Sequence, residues 1–185
     1  MLNTPKIAIT GGSGHLGNCL IDKLLSEGYL INELYTYNFP DKKHENLTWF
    51  QVDVWDLKAI HTLADNCTVF IHSAGMISIG NKNHDEVFRV NVNVTDTIIN
   101  VSIKFPTIRL IHISSSNAVK ESNGDEIFNE DRPYKTANDF IYPYSKASAE
   151  QLVLKAVKAH NLDAIIIRPT SIVGPSDNKH SLLVQ

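Results

Sequence analysis

Thr10-Gly11-Gly12-Ser13-Gly14-His15-Leu16-Gly17 is the stretch on which the reading of this chain turns. The short run before it, Lys6-Ile7-Ala8-Ile9, reads as a buried strand. After it Leu16, Leu20, Ile21, Leu24 and Leu25 recur at helical spacing. Strand, glycine-rich turn and helix is the setting in which such a pattern cradles a dinucleotide. Gly11 permits a tight turn with unusual backbone angles. Gly14 has no side chain, so a pyrophosphate can approach the backbone, and Gly17 lets the helix pack close to the strand. The first N–H groups of the helix lack helical partners and sit at the positive end of its dipole, which suits an anion. Ser13, His15 and Leu16 complete the candidate cofactor-binding turn, with His15 bordering the phosphates rather than moving protons.

Beyond that turn, 185 residues with 43% apolar and 20% charged side chains describe a globular chain long enough for one sizeable core. A net charge of −3 gives no basis for nucleic-acid binding. No apolar run is long enough to span a membrane, and Met1-Leu2-Asn3-Thr4-Pro5 lacks the pattern of a secretory signal, so a cytoplasmic protein is expected. Cys19 and Cys67 stand alone and read as reduced packing residues. The eight histidines show no ligand spacing, so no metal site is expected; His72 and His112 read as packing, and Trp49 and Trp55 as core.

Further strands are expected over residues 30–37, 47–52, 68–73, 108–113 and 164–167. Helices are expected over 57–64, capped by Asp56, over 85–104 and over 143–160, with an irregular polar segment over 117–141. Apolar strands alternating with helices predict an α/β fold: a doubly wound parallel sheet covered on both faces.

A second stretch, Tyr142-Pro143-Tyr144-Ser145-Lys146, carries the chemistry. Pro143 suits the first helical position, which sets Tyr142 at the start of a helix and Lys146 one turn on. A phenol ionises near pH 10, so proton transfer near neutrality needs help, and a neighbouring ammonium stabilises the phenolate. Ser114-Ser115-Ser116 ends the fifth expected strand, at the edge where doubly wound sheets bind ligands. A hydroxyl there can donate to a substrate oxygen.

Taken together these segments resemble the extended branch of the short-chain dehydrogenase/reductase superfamily, and the resemblance runs over essentially the whole chain. Residues 10–17 are similar to its cofactor motif. Asp53-Val54 resembles its adenine-contacting position, His72-Ser73-Ala74-Gly75 the segment beside the cofactor, and Arg89-Val90-Asn91-Val92-Asn93-Val94-Thr95 its Asn-Val-x-Gly-Thr helix. Ser116, Tyr142 and Lys146 match its catalytic triad by position, and Arg168-Pro169-Thr170 with Val173-Gly174-Pro175 its sixth-strand exit. The resemblance implies a Rossmann-type domain over residues 1–175, with 176–185 opening a substrate-binding region that is largely absent. It implies an NAD(P)-dependent oxidoreductase in which Tyr142 moves a proton, Ser116 holds the substrate oxygen, and Lys146 tunes Tyr142 and grips the ribose. Gly11, Ser13, Gly14, His15, Leu16, Gly17, Asp53, Val54, Ala74, Gly75, Asn91, Lys146 and Pro169 would bind the cofactor.

Departures bear on the finer reading. Val94 replaces the family's usual glycine. Asn117 follows Ser116 where sugar-nucleotide dehydratases carry an acidic pair. The second strand ends Tyr35-Thr36-Tyr37-Asn38, without the acid that would bind a ribose 2′-hydroxyl, while Lys42 and Lys43 follow and could meet a 2′-phosphate. The lean is therefore to NADP over NAD. A sugar-nucleotide epimerase and a non-catalytic dinucleotide sensor stand as alternatives. The expected partners are the dinucleotide and a small molecule, with no nucleic acid and no membrane, and with homodimerisation open.

Overall fold

The computed structural model describes residues 4–36, 40–78, 82–122, 124 and 126–174. Strands β1 (Lys6–Thr10), β2 (Leu30–Tyr35), β3 (Leu47–Gln51), β4 (Val69–His72), β5 (Arg109–Ile113) and β6 (Ala164–Ile167) form one sheet in the order β3-β2-β1-β4-β5-β6. Every neighbouring pair is parallel. The strand order reverses between β1 and β4, which opens a crevice at the carboxyl ends of these strands. The fold is thus the doubly wound α/β sheet. The boundary expected after residue 175 lies outside the described residues, as do Tyr37, Asn38 and Pro175.

The helices are α1 (His15–Ser26), α2 (Leu57–Ala64), α3 (His84–Phe88), α4 (Val94–Ser102) and α5 (Ile141–His160). Alternate strand residues divide between two cores, as the two-residue period of a strand requires. Ala8, Leu34, Phe70 and Leu110 pack with Ile60 and Leu63 of α2, Val94 and Ile98 of α4, and Val153 and Ala156 of α5. Ile7, Ile9, Ile31 and Ile71 pack on the other face with Ile21 and Leu25 of α1. Burying a side chain such as Phe70 or Ile98 contributes roughly 1.5–3 kcal/mol. Val94, where the family's glycine was missed, is one of the buried core residues.

Cover on both faces holds over β1 and β2 and fails at β6, where Ile165 and Ile167 are 42% and 43% exposed. Among the described residues only α1 contributes helical side chains to the core of that face.

Local chemistry explains most boundaries. Asp56 caps α2 by accepting from the N–H groups of Lys58 and Ala59. The helix expected from Pro143 begins at Ile141 instead, so Pro143 is its third residue. A proline is tolerated there because no first-turn N–H has a helical partner. The single helix expected over 85–104 is α3 and α4 joined by a π-helical turn over Arg89–Asn93. Cys67 is buried as expected, but Cys19 is exposed on α1. Trp49 and Trp55 are half-buried at the core's margin rather than inside it.

Candidate active site

The glycine turn meets the exit of β4. Gly11 has φ +87°, and a Cβ there would stand 2.5 Å from the Ala74 backbone nitrogen. No other residue type fits that approach. A Cβ on Gly17 would strike the Gly11 carbonyl and Gly12 Cα, so Gly17 lets α1 close onto the turn itself rather than onto the strand. A Cβ on Gly14 would meet one atom, the Gly11 carbonyl oxygen at 3.2 Å, and otherwise open space. Gly14 is the N-cap of α1; no side chain caps that end and its first turn holds no acid. An open face, uncapped N–H groups and the helix dipole are what a pyrophosphate requires, so the residues present fit a dinucleotide. Ser13 is exposed and Leu16 half-buried. The His15 imidazole lies 3.8 Å from where Gly174 would carry a Cβ, which brings the segment after β6 to the same turn.

Glu33 escaped the sequence reading, which sought an acid only at the end of the second strand. It lies inside β2 on the α1 side, fully buried, and its Oε1 accepts from the Gly12 N–H at 2.8 Å. Burial holds its pKa well above the usual carboxylate range. The signal was present: a charged residue inside an apolar strand needs a partner.

Past β3, Asp53 is exposed and its Oδ1 accepts from the Trp55 N–H at 3.1 Å, while Val54 packs against the core. Of the two lysines expected to meet a 2′-phosphate, Lys43 is exposed and Lys42 is paired. Its ammonium donates to Asp22 at 2.5 Å and to the Asn18 carbonyl at 3.3 Å, which ties the 40–46 loop to α1.

The remaining site residues converge at the carboxyl ends of β4, β5 and β6. Ser114 N–H donates to the Ile167 carbonyl at 2.7 Å and Ser116 N–H to the Pro169 carbonyl at 2.9 Å, so the serine run is laced to the β6 exit. Ser116 starts a 3₁₀ turn, Ser116–Ala118, and is half-buried. Ser115, one residue earlier, is buried, and its Oγ accepts from the Asn117 N–H at 3.2 Å.

Tyr142 lies in the first turn of α5 and Lys146 one turn on, as expected. Burial raises the phenol's pKa, and Ser115 draws it part of the way back. The Lys146 ammonium donates to the Ile113 carbonyl at 2.9 Å. Burial lowers Lys146 itself to about 8, with Glu150 opposing. Gly75 fills the gap beside it: a Cβ there would stand 3.3 Å from Asn91 Oδ1 and 3.5 Å from Lys146 Nζ. Asn91 binds both backbone groups of Met76 (2.7 and 2.9 Å) and donates to Ser145 Oγ at 2.9 Å. Behind the site Glu150, fully buried, receives Arg168 through both oxygens, the shortest contact being 2.7 Å. His72 is more than packing, since both ring nitrogens are bonded. His112 stands beside it with ring centroids 5.4 Å apart.

A parallel sheet with a reversed strand order, an uncapped glycine turn at its crevice and a Tyr-x-x-x-Lys helix beside it define the extended short-chain dehydrogenase/reductase class. Within it, this chain belongs to the 3-beta hydroxysteroid dehydrogenase/isomerase family, whose model matches residues 8–185. It is 29% identical over 184 residues to the 3 beta-hydroxysteroid dehydrogenase/Delta 5-->4-isomerase of vaccinia virus, with 92% of this chain and 53% of the relative covered. Its fold is similar to dTDP-glucose 4,6-dehydratase from Bacillus anthracis in complex with NAD, at TM-score 0.77 and 21% identity over 89% of this chain and 54% of that one. It is also similar to UDP-glucuronic acid 4-epimerase from Bacillus cereus in complex with NAD, at TM-score 0.76 and 22% identity over 92% and 57%. The chain spans about half the length of the relatives it matches.

Proposed function

We propose that this chain forms the dinucleotide-binding and proton-transfer half of an NAD-dependent oxidoreductase acting at a secondary alcohol or ketone of a small molecule. The observation that carries this reading is the convergence at Gly75, where a Cβ would stand 3.3 Å from Asn91 Oδ1 and 3.5 Å from Lys146 Nζ, beside the open glycine turn. When bound, the nicotinamide would exchange hydride with the substrate carbon. Gly14 and the uncapped start of α1 would take the pyrophosphate, Asp53 and Val54 the adenine side, and Ala74, Gly75 and Pro169 the nicotinamide side. Tyr142 would move the proton, with Ser115 supporting its oxygen. Ser116, whose N–H is held by the Pro169 carbonyl, would donate to the substrate oxygen, and Lys146 would turn from Ile113 to the ribose. NAD is preferred over NADP in this reading because Lys42 is already neutralised by Asp22. The family match favours an oxidoreductase over an epimerase.

The test is a fluorescence titration of NADH and NADPH against the protein and its Gly14→Val variant. NADH should bind more tightly than NADPH, and the variant should lose at least about tenfold in affinity, because its side chain enters the pyrophosphate position. Equal binding by a folded Gly14→Val variant would remove the cofactor from this turn. In turnover assays with carbonyl compounds, net consumption of NADH is expected; retention of the cofactor through turnover would turn the reading towards an epimerase.

A further inference from the structure

His72, Thr95 and Asn91 are 1%, 1% and 2% exposed, and they form a continuous hydrogen-bonded line through the interior. At one end stands Thr10, the last residue of β1, whose hydroxyl meets His72 Nδ1 at 2.7 Å. His72 Nε2 meets the Thr95 hydroxyl at 3.0 Å, and that hydroxyl donates to the Asn91 carbonyl at 2.7 Å. The line continues through the Asn91 amide to Ser145, whose hydroxyl donates to the Tyr142 carbonyl at 2.8 Å.

The donors fix the tautomer. The Thr95 hydroxyl has one hydrogen and gives it to Asn91, so it can only accept from His72. His72 therefore carries its proton on Nε2, leaves Nδ1 as an acceptor, and takes the hydrogen of Thr10. Burial and the Lys146 charge keep the imidazole neutral, which this arrangement requires. Every donor in the line has an assigned acceptor, and shifting one member breaks the next. The capture of the Asn91 carbonyl falls within the π-helical turn over Arg89–Asn93. Such π-helical turns are frequent at functional sites.

We propose that His72 is a positioning residue that, through Thr95 and Asn91, ties the lip of the glycine turn to the helix bearing Tyr142 and Lys146, so that dinucleotide binding rigidifies the proton-transfer helix. The proposal rests on the dinucleotide reading of the glycine turn. Its mechanism is local: ordering Thr10 orders the imidazole, which orders Asn91. Asn91 holds both the Met76 backbone and the start of α5, so order at the turn is passed on to α5.

The experiment is amide hydrogen exchange with and without saturating NAD, on the wild type, Thr95→Val, Thr95→Ser and His72→Phe. In the wild type, NAD should slow exchange over residues 141–150 by about tenfold, within the range of ordinary site-to-site coupling. Thr95→Val removes the hydroxyl at nearly constant volume. It should reduce that effect to less than about twofold while the NAD Kd changes by less than about threefold, and Thr95→Ser should restore it. His72→Phe should behave like Thr95→Val where it folds. A merely structural threonine would alter thermal stability and leave the NAD-dependent protection intact, and that result would overturn the proposal. NAD binding to the wild type with no slowing over 141–150 would overturn it as well. Failure of the wild type to bind NAD would overturn the dinucleotide reading first, and the coupling with it.

Discussion

Tyr142 carries the sharpest prediction at the scale of single residues. Its phenol is half-buried, and burial holds its pKa above the ordinary value, with Ser115 drawing it part of the way back. In the proposed reaction the protonated phenol is the form that would protonate a carbonyl oxygen as that oxygen gains charge. Tyr142→Phe should lower turnover by roughly 10²–10⁴-fold with little change in NADH affinity. Tyr144 is the control: it is two residues on, about 200° around the helix, and packs its ring on Phe88 at 5.6 Å. Tyr144→Phe should cost far less, and the comparison is made by steady-state turnover across pH. Loss of activity in Tyr144→Phe with Tyr142→Phe active would reverse the assignment.

Among the elements, α5 does two tasks at once. Its first turns carry Tyr142 and Lys146, and its next turn carries Glu150, fully buried and paired with Arg168 past the end of β6. Arg168 also reaches the Glu130 carbonyl at 3.0 Å and the Tyr134 hydroxyl at 3.1 Å, so one guanidinium binds α5, the β6 exit and the segment 130–134 together. Removing one member of a buried pair strands the other charge. Arg168→Met should therefore destabilise the fold by about 3–5 kcal/mol. Adding Glu150→Gln should recover part of that loss, because no buried charge is then left alone. Urea unfolding of both variants measures it; a double variant no more stable than Arg168→Met alone would show that packing, not charge, dominates.

Over the whole molecule, the buried titratable groups set how stability varies with acid. His72 is lowered to about 3 and His112 well below 6.5, both mainly by burial. Between pH 6.5 and their native values the unfolded chain binds protons that the native state refuses. Stability present above pH 6.5 is thus lost as the pH falls. Glu33 works in the opposite sense: its raised pKa keeps it protonated in the native state, so it costs stability as pH rises above 4.5. Two histidines against one glutamate should leave a net fall in the urea midpoint from pH 7 to pH 5. Glu33→Gln should make that fall steeper, since the opposing contribution is gone. A midpoint that rises towards pH 5 would contradict the buried, neutral state of the histidines.

Near-neighbour patterns settled much of this protein in advance. The glycine turn, the alternation of apolar strands with helices, the Asp56 cap and the Tyr142–Lys146 spacing are properties of a few consecutive residues. They placed the six strands in the described chain, the class of fold and the elements that bear the candidate site. What pairs across the sheet was not written there. That the serine run is held by the Ile167 and Pro169 carbonyls, more than fifty residues away, depends on β5 lying beside β6. That Lys146 faces the Ile113 carbonyl, that Lys42 is taken by Asp22, and that Glu33 turns under Gly12 all depend on which strands lie side by side. Hydrophobic period and turn chemistry act along the chain and can be read there. A buried polar atom must find its partner wherever the fold brings one within about 3 Å, and only the assembled sheet decides where that is.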